Sequence, residues 1–368
     1  MLKMQASAPS YRTLRPLRAE VTTGFPVYKD LSAAMVGANN HPDETVAHVL
    51  AACSGYSYSS ADTVAMIMAR MGLANNRCQM ISEYVDAMLI DATAFLVQSE
   101  DGRVVILSFR GTQPTNLINW LTDLDVDPAI AFIPFQGHAG SFGVHAGFYR
   151  NLRAIRFEVI AALLRAVEGR SVLLTEDGEQ GDQNQLRGLE ALYITGHSLG
   201  AAMAAIMAIM LVTDAAYRDI AAKLRAVYTF GQPMIGGPDL ADACAANDLL
   251  SNQVLRFIYR HDFVPRLPPT DSGPFAHFGR EYRYGSTWPW TNSPRPVGQM
   301  GSLFGLAQAP LAFLSRQVRA LRRIPFEYSL EDHLPQNYVT ALTPPGVPNE
   351  FGDDPLARVN EEHNVGKR

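Results

Sequence analysis

The sequence predicts an α/β fold, with a mainly parallel central sheet covered by helices on both faces. Strand-like runs alternate with helical segments through the middle of the chain, as in a parallel sheet with crossover helices. One predicted strand turns directly into a helix across Gly-His-Ser-Leu-Gly at 196–200. The chain has 368 residues, of which 47% are hydrophobic, and this is enough for one large core.

The elements follow from the spacing of apolar residues along the chain. Two helices are expected first, and the earlier of them opens at the acidic pair Asp43 and Glu44. Two apolar runs around an Asp-Gly turn then predict a β-hairpin. The expected helices are 43–54, 61–72 and 147–168, and the expected strands are 93–97, 104–109, 192–195, 226–230, 254–259 and 282–284.

One main domain is expected over residues 41–343. The mixed, proline-containing segment 1–40 predicts an extended N-terminal arm. Two inserts are expected within the domain, a polar one at 176–187 and a longer one at 287–328. The polar tail 344–368 is expected to be loosely held.

Composition argues against several classes of protein. The net charge of −5 leaves no basic field for nucleic acid. Three cysteines do not make a disulfide framework, and no Cys/His cluster has metal-ligand spacing, so no metal or other cofactor is expected.

The N-terminus has no apolar signal-peptide core and no long apolar run follows, which predicts a cytoplasmic protein. A secreted form that has lost its leader is the open alternative.

Ser198 is the predicted nucleophile. The strand before it and the small-residue helix after it are the context of a nucleophile elbow, a strained strand-to-helix turn that exposes a serine hydroxyl. Gly196 and Gly200 provide the space that such a tight turn requires. The alternative is an ordinary glycine-rich turn with a solvent-facing serine.

A serine nucleophile needs a base, and the base needs a carboxylate to orient it. Asp262 closely follows the predicted strand 254–259, so it is expected at the ligand-binding edge of the sheet, with Asp271 as its nearest competitor. His333 lies beyond all predicted strands and is the expected base. His277 is its rival and is expected to make a structural hydrogen bond. His197 is expected to line or support the site.

Two N–H donors are needed to hold the oxyanion of a tetrahedral intermediate. The amide of Leu199 follows the nucleophile at a helix N-terminus and is one expected donor. Thr112 lies in the loop after the predicted strand 104–109 and is the other, through its amide and hydroxyl. The alternative for Thr112 is a plain strand-end turn.

Together these pieces resemble the class 3 lipase family, which includes the triacylglycerol lipases of filamentous fungi. The matching segments keep the order of the family and span residues 90–335. They are VVILSFRGT (104–112), NWLTDL (119–124), VHAGF (144–148), ITGHSLG (194–200), TFGQPMI (229–235), RFIYRHDFVPRLPP (256–269), HFGRE (277–281) and DHL (332–334).

The resemblance implies an α/β-hydrolase fold and hydrolysis of lipid or small esters without a cofactor. It implies a triad of Ser198, Asp262 and His333, with Thr112 and Leu199 as the oxyanion hole. It also implies a short lid after the oxyanion loop, although a fixed helix over the sheet is an equal alternative. The candidate lid residues are Leu117, Ile118, Trp120 and Leu121.

The chain departs from the compact fungal pattern by lacking paired cysteines and by carrying a long segment between the acid and the histidine. Within that segment, 300–323 is apolar with an arginine-rich end. It is expected to be a cap helix over the acyl pocket, and the alternative is a contact with an anionic membrane surface. A membrane-surface phospholipase or acyltransferase therefore remains an alternative function. A non-catalytic binding module is a weaker one, because the triad is complete.

Overall fold

A nine-stranded sheet lies at the centre of the computed structural model, which describes residues 2–7, 26–112, 130–135, 141–173, 186–284, 290–301, 329–344 and 347. Two further strands, β5 and β6, pair with each other in a separate hairpin. The strands are β1 (Leu2–Ser7), β2 (Arg77–Val85), β3 (Ile90–Gln98), β4 (Val104–Phe109), β5 (Ile130–Pro134), β6 (Ser141–His145), β7 (Ala191–His197), β8 (Leu224–Phe230), β9 (Val254–Tyr259), β10 (Arg280–Tyr284) and β11 (Thr291–Ser293).

The middle of this sheet is parallel, which confirms the predicted fold class. The strand order is β1-β2-β3-β4-β7-β8-β9-β10-β11. Neighbours from β4 to β10 pair in parallel, whereas β1 to β4 and the β10–β11 pair are antiparallel. The carboxyl ends of the parallel strands therefore meet at one edge, where open α/β sheets bind ligands.

Helices cover both faces of the sheet, and the side chains of β7 alternate between the two cores. Leu192 and Ile194 join the core under α4 and α5, while Ala191 and Tyr193 join the core under α1, α2, α3 and α9. The described helices are α1 (Leu31–Gly37), α2 (Glu44–Tyr56), α3 (Ala61–Met71), α4 (Ala146–Val167), α5 (Leu199–Thr213), α6 (Arg218–Ala221), α7 (Pro238–Ala245), α8 (Asp248–Gln253) and α9 (Pro335–Leu342).

Side-chain caps fix where the first helices begin. The Asp43 carboxylate accepts a hydrogen bond from the Val46 amide at 2.9 Å, so α2 starts at the predicted acidic pair. The Ser60 hydroxyl accepts from the Thr63 amide at the start of α3. The three cysteines are buried and unpaired, as small apolar residues would be.

The structure departs from the predicted elements near both ends. Residues 31–37 of the expected extended arm form α1, which buries Leu31 and Met35 in the core. Within the longer insert, residues 291–293 form β11 on the sheet. The candidate lid, nearly all of the polar insert, segment 302–328 and the tail beyond 347 lie outside the described residues.

No single described helix has the length and apolar character needed to cross a bilayer. The segments Leu199–Thr213 and Ala215–Ala221 pass that test only as a pair bent by 94°. The first of them, α5, is buried against the sheet along almost its whole length.

Candidate active site

Ser198 lies in a strained turn between β7 and α5. Its φ of 59° and ψ of −128° are unusual for a residue with a side chain. A Cβ atom on Gly196 would lie 2.3 Å from the Gly200 oxygen, and one on Gly200 would lie 2.1 Å from the Phe109 oxygen. Both glycines are therefore required by close backbone contacts, as the sequence predicts for an elbow.

Asp262 and His333 form a buried hydrogen-bonded pair, although 71 residues separate them in the chain. Nδ1–H of His333 donates to Oδ2 of Asp262 at 2.8 Å. This bond fixes the tautomer that leaves Nε2 of His333 as the basic nitrogen. The two side chains are 0% and 2% exposed, so the pair is protected from water.

Two further donors hold the Asp262 carboxylate. The hydroxyl of Tyr338 donates to Oδ2 at 2.5 Å, and the amide of Val264 donates to Oδ1 at 2.9 Å. Hydrogen bonds to an ionised carboxylate are stronger than neutral ones and offset the cost of burying its charge. Tyr338 was not predicted from the sequence; it lies on α9, five residues after His333.

Main-chain bonds attach the segment that carries His333 to the loop that carries Asp262. Ser329 pairs with Asp262 in a parallel β-bridge, and its amide donates to the His261 oxygen at 2.9 Å. The His261 amide in turn donates to the Asp332 carboxylate at 3.2 Å. The acid and the base are therefore held together by their backbones as well as by their side chains.

Gly231 forms the floor beneath this pair. Its φ is +59°, and a Cβ atom there would lie 2.7 Å from Oδ2 of Asp262 and 2.8 Å from Nδ1 of His333. The residue before it, Phe230, accepts a hydrogen bond from the Ser198 amide at 3.0 Å. The end of β8 thus lies against the nucleophile turn and against the acid and base.

The two atoms that would exchange a proton have no hydrogen-bond partner among the described residues. Oγ of Ser198 and Nε2 of His333 are both buried and unpaired. The described structure therefore contains no hydrogen bond between them. Such bonds are often long in an empty active site and tighten when substrate binds.

The predicted oxyanion donors lie on two elements beside Ser198. A Cβ atom on Gly111 would lie 3.1 Å from Cβ of Ser198 and 2.5 Å from the His197 oxygen, so the loop after β4 touches the elbow. Thr112 follows in this loop and is half-buried. Leu199 begins α5, where the amides lack intrahelical partners and the helix dipole favours negative charge.

His197 and Tyr58 connect the oxyanion loop to the base. The Gly111 amide hydrogen-bonds to the Tyr58 hydroxyl, which donates to Nδ1 of His197 at 2.8 Å. Nε2–H of His197 donates to the main-chain oxygen of His333 at 2.6 Å, and the two imidazole rings pack 4.5 Å apart. Burial lowers the pKa of His197 far below its usual value, so the ring is neutral and suits these roles.

The rival residues occupy other places. Nε2–H of His277 donates to the Pro265 oxygen at 2.7 Å, which is the structural hydrogen bond that the sequence predicts. Asp271 is exposed in the short turn Thr270–Ser272, whereas Asp262 bonds the imidazole of His333. No group of three or more His, Cys, Asp or Glu within the described ranges is arranged to hold a metal ion.

The Lipase (class 3) family model matches residues 106–272. A triacylglycerol lipase of Ricinus communis is 28% identical over 229 residues, which cover 55% of this chain and 42% of the relative. A lipase of Rhizomucor miehei is 27% identical over 210 residues, which cover 57% of this chain and 48% of the relative. The chain thus spans about half the length of these curated relatives.

Solved structures show the same fold. The Rhizomucor miehei lipase in its propeptide complex superposes with a TM-score of 0.50 at 19% identity, covering 80% of this chain and 87% of that one. Lipase II from Rhizopus niveus gives a TM-score of 0.50 at 18% identity, covering 70% and 86%. The fold is therefore that of the α/β-hydrolases. Over residues 106–272 the chain is similar to the class 3 lipase family, and the relatives that it matches are lipases.

Proposed function

We propose that this protein is a serine hydrolase that cleaves carboxylic esters of lipids through a triad of Ser198, His333 and Asp262. The observation that carries the proposal is the buried 2.8 Å bond between His333 and Asp262, together with a serine held at a positive φ in a turn that bonds the end of β8 beside this pair. The match of residues 106–272 to the Lipase (class 3) family model and the names of the relatives, which are lipases, support lipid esters as the substrate class.

In the acylation step, Oγ of Ser198 attacks the carbonyl carbon of the ester while Nε2 of His333 takes the hydroxyl proton. The carbonyl oxygen becomes an oxyanion, which the amide of Leu199 and the amide or hydroxyl of Thr112 hold by hydrogen bonds. The imidazolium of His333 is stabilised by the Asp262 carboxylate, which keeps its negative charge. The C–O bond to the alcohol then breaks, and the alcohol leaves with the proton from His333.

In the deacylation step, water takes the place of the alcohol. His333 accepts a proton from the water as its oxygen attacks the acyl carbon, and a second oxyanion forms in the same place. The bond between the acyl carbon and Oγ of Ser198 breaks, and His333 returns the proton to the serine. The fatty acid leaves and the triad is restored.

Labelling of Ser198 by a fluorophosphonate probe tests this proposal directly. The probe reacts with an activated serine, so mass spectrometry of the wild-type protein should locate the adduct on the peptide that contains Ser198. Ser198→Ala should abolish both labelling and hydrolysis of p-nitrophenyl butyrate while the circular dichroism spectrum is retained.

Ser54→Ala is a matched control, because Ser54 is also buried but its hydroxyl bonds a main-chain oxygen within α2. This variant should react with the fluorophosphonate probe and hydrolyse p-nitrophenyl butyrate as the wild type does. Turnover that survives Ser198→Ala in the purified protein contradicts the assignment. Release of lysophospholipid, but of no fatty acid from triglyceride, would instead favour a phospholipase.

A further inference from the structure

Exposed apolar side chains are concentrated on two hairpins. Seven large hydrophobic residues are exposed among those that the structure describes, and five of them lie on the β2–β3 and β5–β6 hairpins. We call these five the apolar rim. Its members, with their exposed fractions, are Tyr84 (69%), Met88 (55%), Leu89 (67%), Ile130 (44%) and Phe132 (66%).

The β2–β3 hairpin projects from the edge of the sheet that carries the candidate active site. Ala94 of β3 pairs with Phe109 at the end of β4, and the Arg110 amide bonds the Thr93 oxygen. The guanidinium of Arg110 then pairs with Asp91 at 2.6 Å. Tyr84 lies opposite Asp91 in the strand register, and residues 85–89 lie beyond this pair, so the tip extends past the end of β4.

The β5–β6 hairpin leaves the same edge. His145 at the end of β6 donates its amide to the Ile235 oxygen, and Val144 pairs with Gly236. Both partners lie in the loop that follows the carboxyl end of β8. Ile130 and Phe132 are both exposed on one side of β5, and Ile133 is buried on the other.

Leu89 has an unfavourable backbone conformation, and its exposed side chain contributes little to the stability of the fold. Its φ of 51° is in the left-handed region, which costs a leucine about 1 kcal/mol relative to glycine or asparagine. The β2–β3 hairpin, which contains Leu89, is held instead by polar contacts to α4. Asn151 accepts from the Asp91 amide at 2.9 Å, and Arg150 donates to the Met88 oxygen at 3.2 Å. An exposed leucine in a strained turn suggests a role outside the folded core.

We propose that the apolar rim seats the protein on a lipid–water surface, with the candidate active site facing that surface. This inference rests on the proposed function, because a lipid ester must enter at the same edge. The charges on and beside the hairpin are mixed. Glu83, Asp86 and Asp91 are acidic, whereas Arg150 bonds the Met88 oxygen and Arg110 pairs with Asp91. Apolar insertion into a neutral or zwitterionic surface therefore fits the rim better than attraction to anionic headgroups.

Cosedimentation with phosphatidylcholine vesicles tests the proposal. The full chain carrying Ser198→Ala is used, so that no lipid is hydrolysed during the measurement. Adding Met88→Ser and Leu89→Asn together should weaken binding by about tenfold or more, because two apolar side chains no longer leave water. Asparagine tolerates the left-handed conformation of residue 89, so the variant should keep the melting temperature of its parent.

Phe157→Ser is the matched control. Phe157 is 67% exposed, like Leu89, but it lies eleven residues into α4, about 16 Å along the helix from the edge. Its loss should leave vesicle binding within about twofold. Phe132→Ser on the second hairpin should weaken binding several-fold, which makes the test independent of how the first hairpin folds. Binding should also persist between about 0.05 M and about 0.5 M salt.

Three results would overturn the proposal. They are an absence of vesicle binding by the parent chain, equal losses from Phe157→Ser and the hairpin variants, and a concentration-dependent dimer that the hairpin variants abolish. The proposed function is tested separately, because hairpin variants without Ser198→Ala should hydrolyse a dissolved short-chain ester normally. If the wild-type protein did not hydrolyse that ester at all, the proposed hydrolase function would be rejected. The vesicle-binding result would then be interpreted separately.

Discussion

Nε2 of His197 lies 2.6 Å from the main-chain oxygen of His333, so the residue beside the candidate nucleophile holds the backbone of the candidate base. On its other side His197 bonds Tyr58, which in turn accepts a hydrogen bond from the amide of Gly111 in the oxyanion loop. One chain of hydrogen bonds therefore spans three parts of the site. His197 and Tyr58 are positioning residues, because neither takes part in bond making.

Tyr58→Phe should lower kcat for p-nitrophenyl butyrate by about tenfold and change KM by less than about twofold. The substitution removes the link between the oxyanion loop and the base, and such misplacement slows the chemical step more than it weakens binding. It also leaves a buried amide and a ring nitrogen unpaired, so the free energy of unfolding should fall by about 1–3 kcal/mol.

Tyr149→Phe is the control for this prediction. The Tyr149 hydroxyl accepts a hydrogen bond from Arg156, and both residues lie on α4. A kcat loss in Tyr58→Phe no larger than that in Tyr149→Phe, or a loss expressed in KM alone, contradicts a positioning role.

Gly231→Ala should reduce kcat on the order of 10² and leave the chain folded, because displacements near 1 Å at reacting groups have effects of that size. The added methyl group would overlap Asp262 and His333, at 2.7 Å and 2.8 Å. The positive φ of residue 231 adds about 1–2 kcal/mol of strain.

Gly298→Ala provides the comparison in steady-state kinetics. A Cβ atom there would meet nothing within 4 Å, so this variant should match the wild type. If Gly231→Ala retained full activity, the floor of the site would not constrain the acid and base as described.

The nucleophile turn was predictable because its causes are local. Gly196 and Gly200 are required by contacts within the turn and with the neighbouring strand, and the flanking strand and helix are continuous in sequence. Asp262 and His333 were also accessible, because the order of nucleophile, acid and base along the chain restricts the search to a few residues.

The support of the site was not predictable, because its contacts join distant parts of the chain. Tyr58 meets His197 across 139 residues, and Tyr338 meets Asp262 across 76. No local pattern distinguishes these tyrosines from the others. The strand β2 was not predicted for a different reason. Gln79 is fully buried and donates to the Met80 oxygen, so the strand lacks the expected alternation of apolar and polar residues.

His333→Ala should lower kcat by about 10⁴, whereas His277→Ala should change it by less than about tenfold. His333 bonds the buried Asp262 carboxylate, but His277 bonds only the Pro265 oxygen. Loss of that structural bond should appear as a lower melting temperature in the His277 variant. The roles would have to be exchanged if His277→Ala were the more damaging of the two in kcat.

Acid should destabilise the fold through buried neutral histidines, and His145 allows this to be tested away from the triad. Burial lowers the pKa of His145 to about 4, and its ring packs 4.4 Å from that of Phe148. The unfolded chain binds a proton near the ordinary value of about 6.5, so it binds more protons than the folded chain between these values. The stabilisation is thus complete above about pH 6.5 and is lost as the pH falls towards 4.

If His145 is neutral in the folded protein at pH 5, it lowers the free energy of unfolding by about 2 kcal/mol at pH 5 relative to pH 7. Urea denaturation of the wild type and of His145→Gln at both pH values should therefore show a smaller acid loss in the variant, by about that amount. His261→Gln is the control, since His261 is exposed, and it should keep the wild-type difference. An unchanged difference in His145→Gln would mean that this histidine is not held neutral by its burial. The acid sensitivity would then arise at other groups, among which burial also lowers the pKa values of His41, His48, His197 and His277.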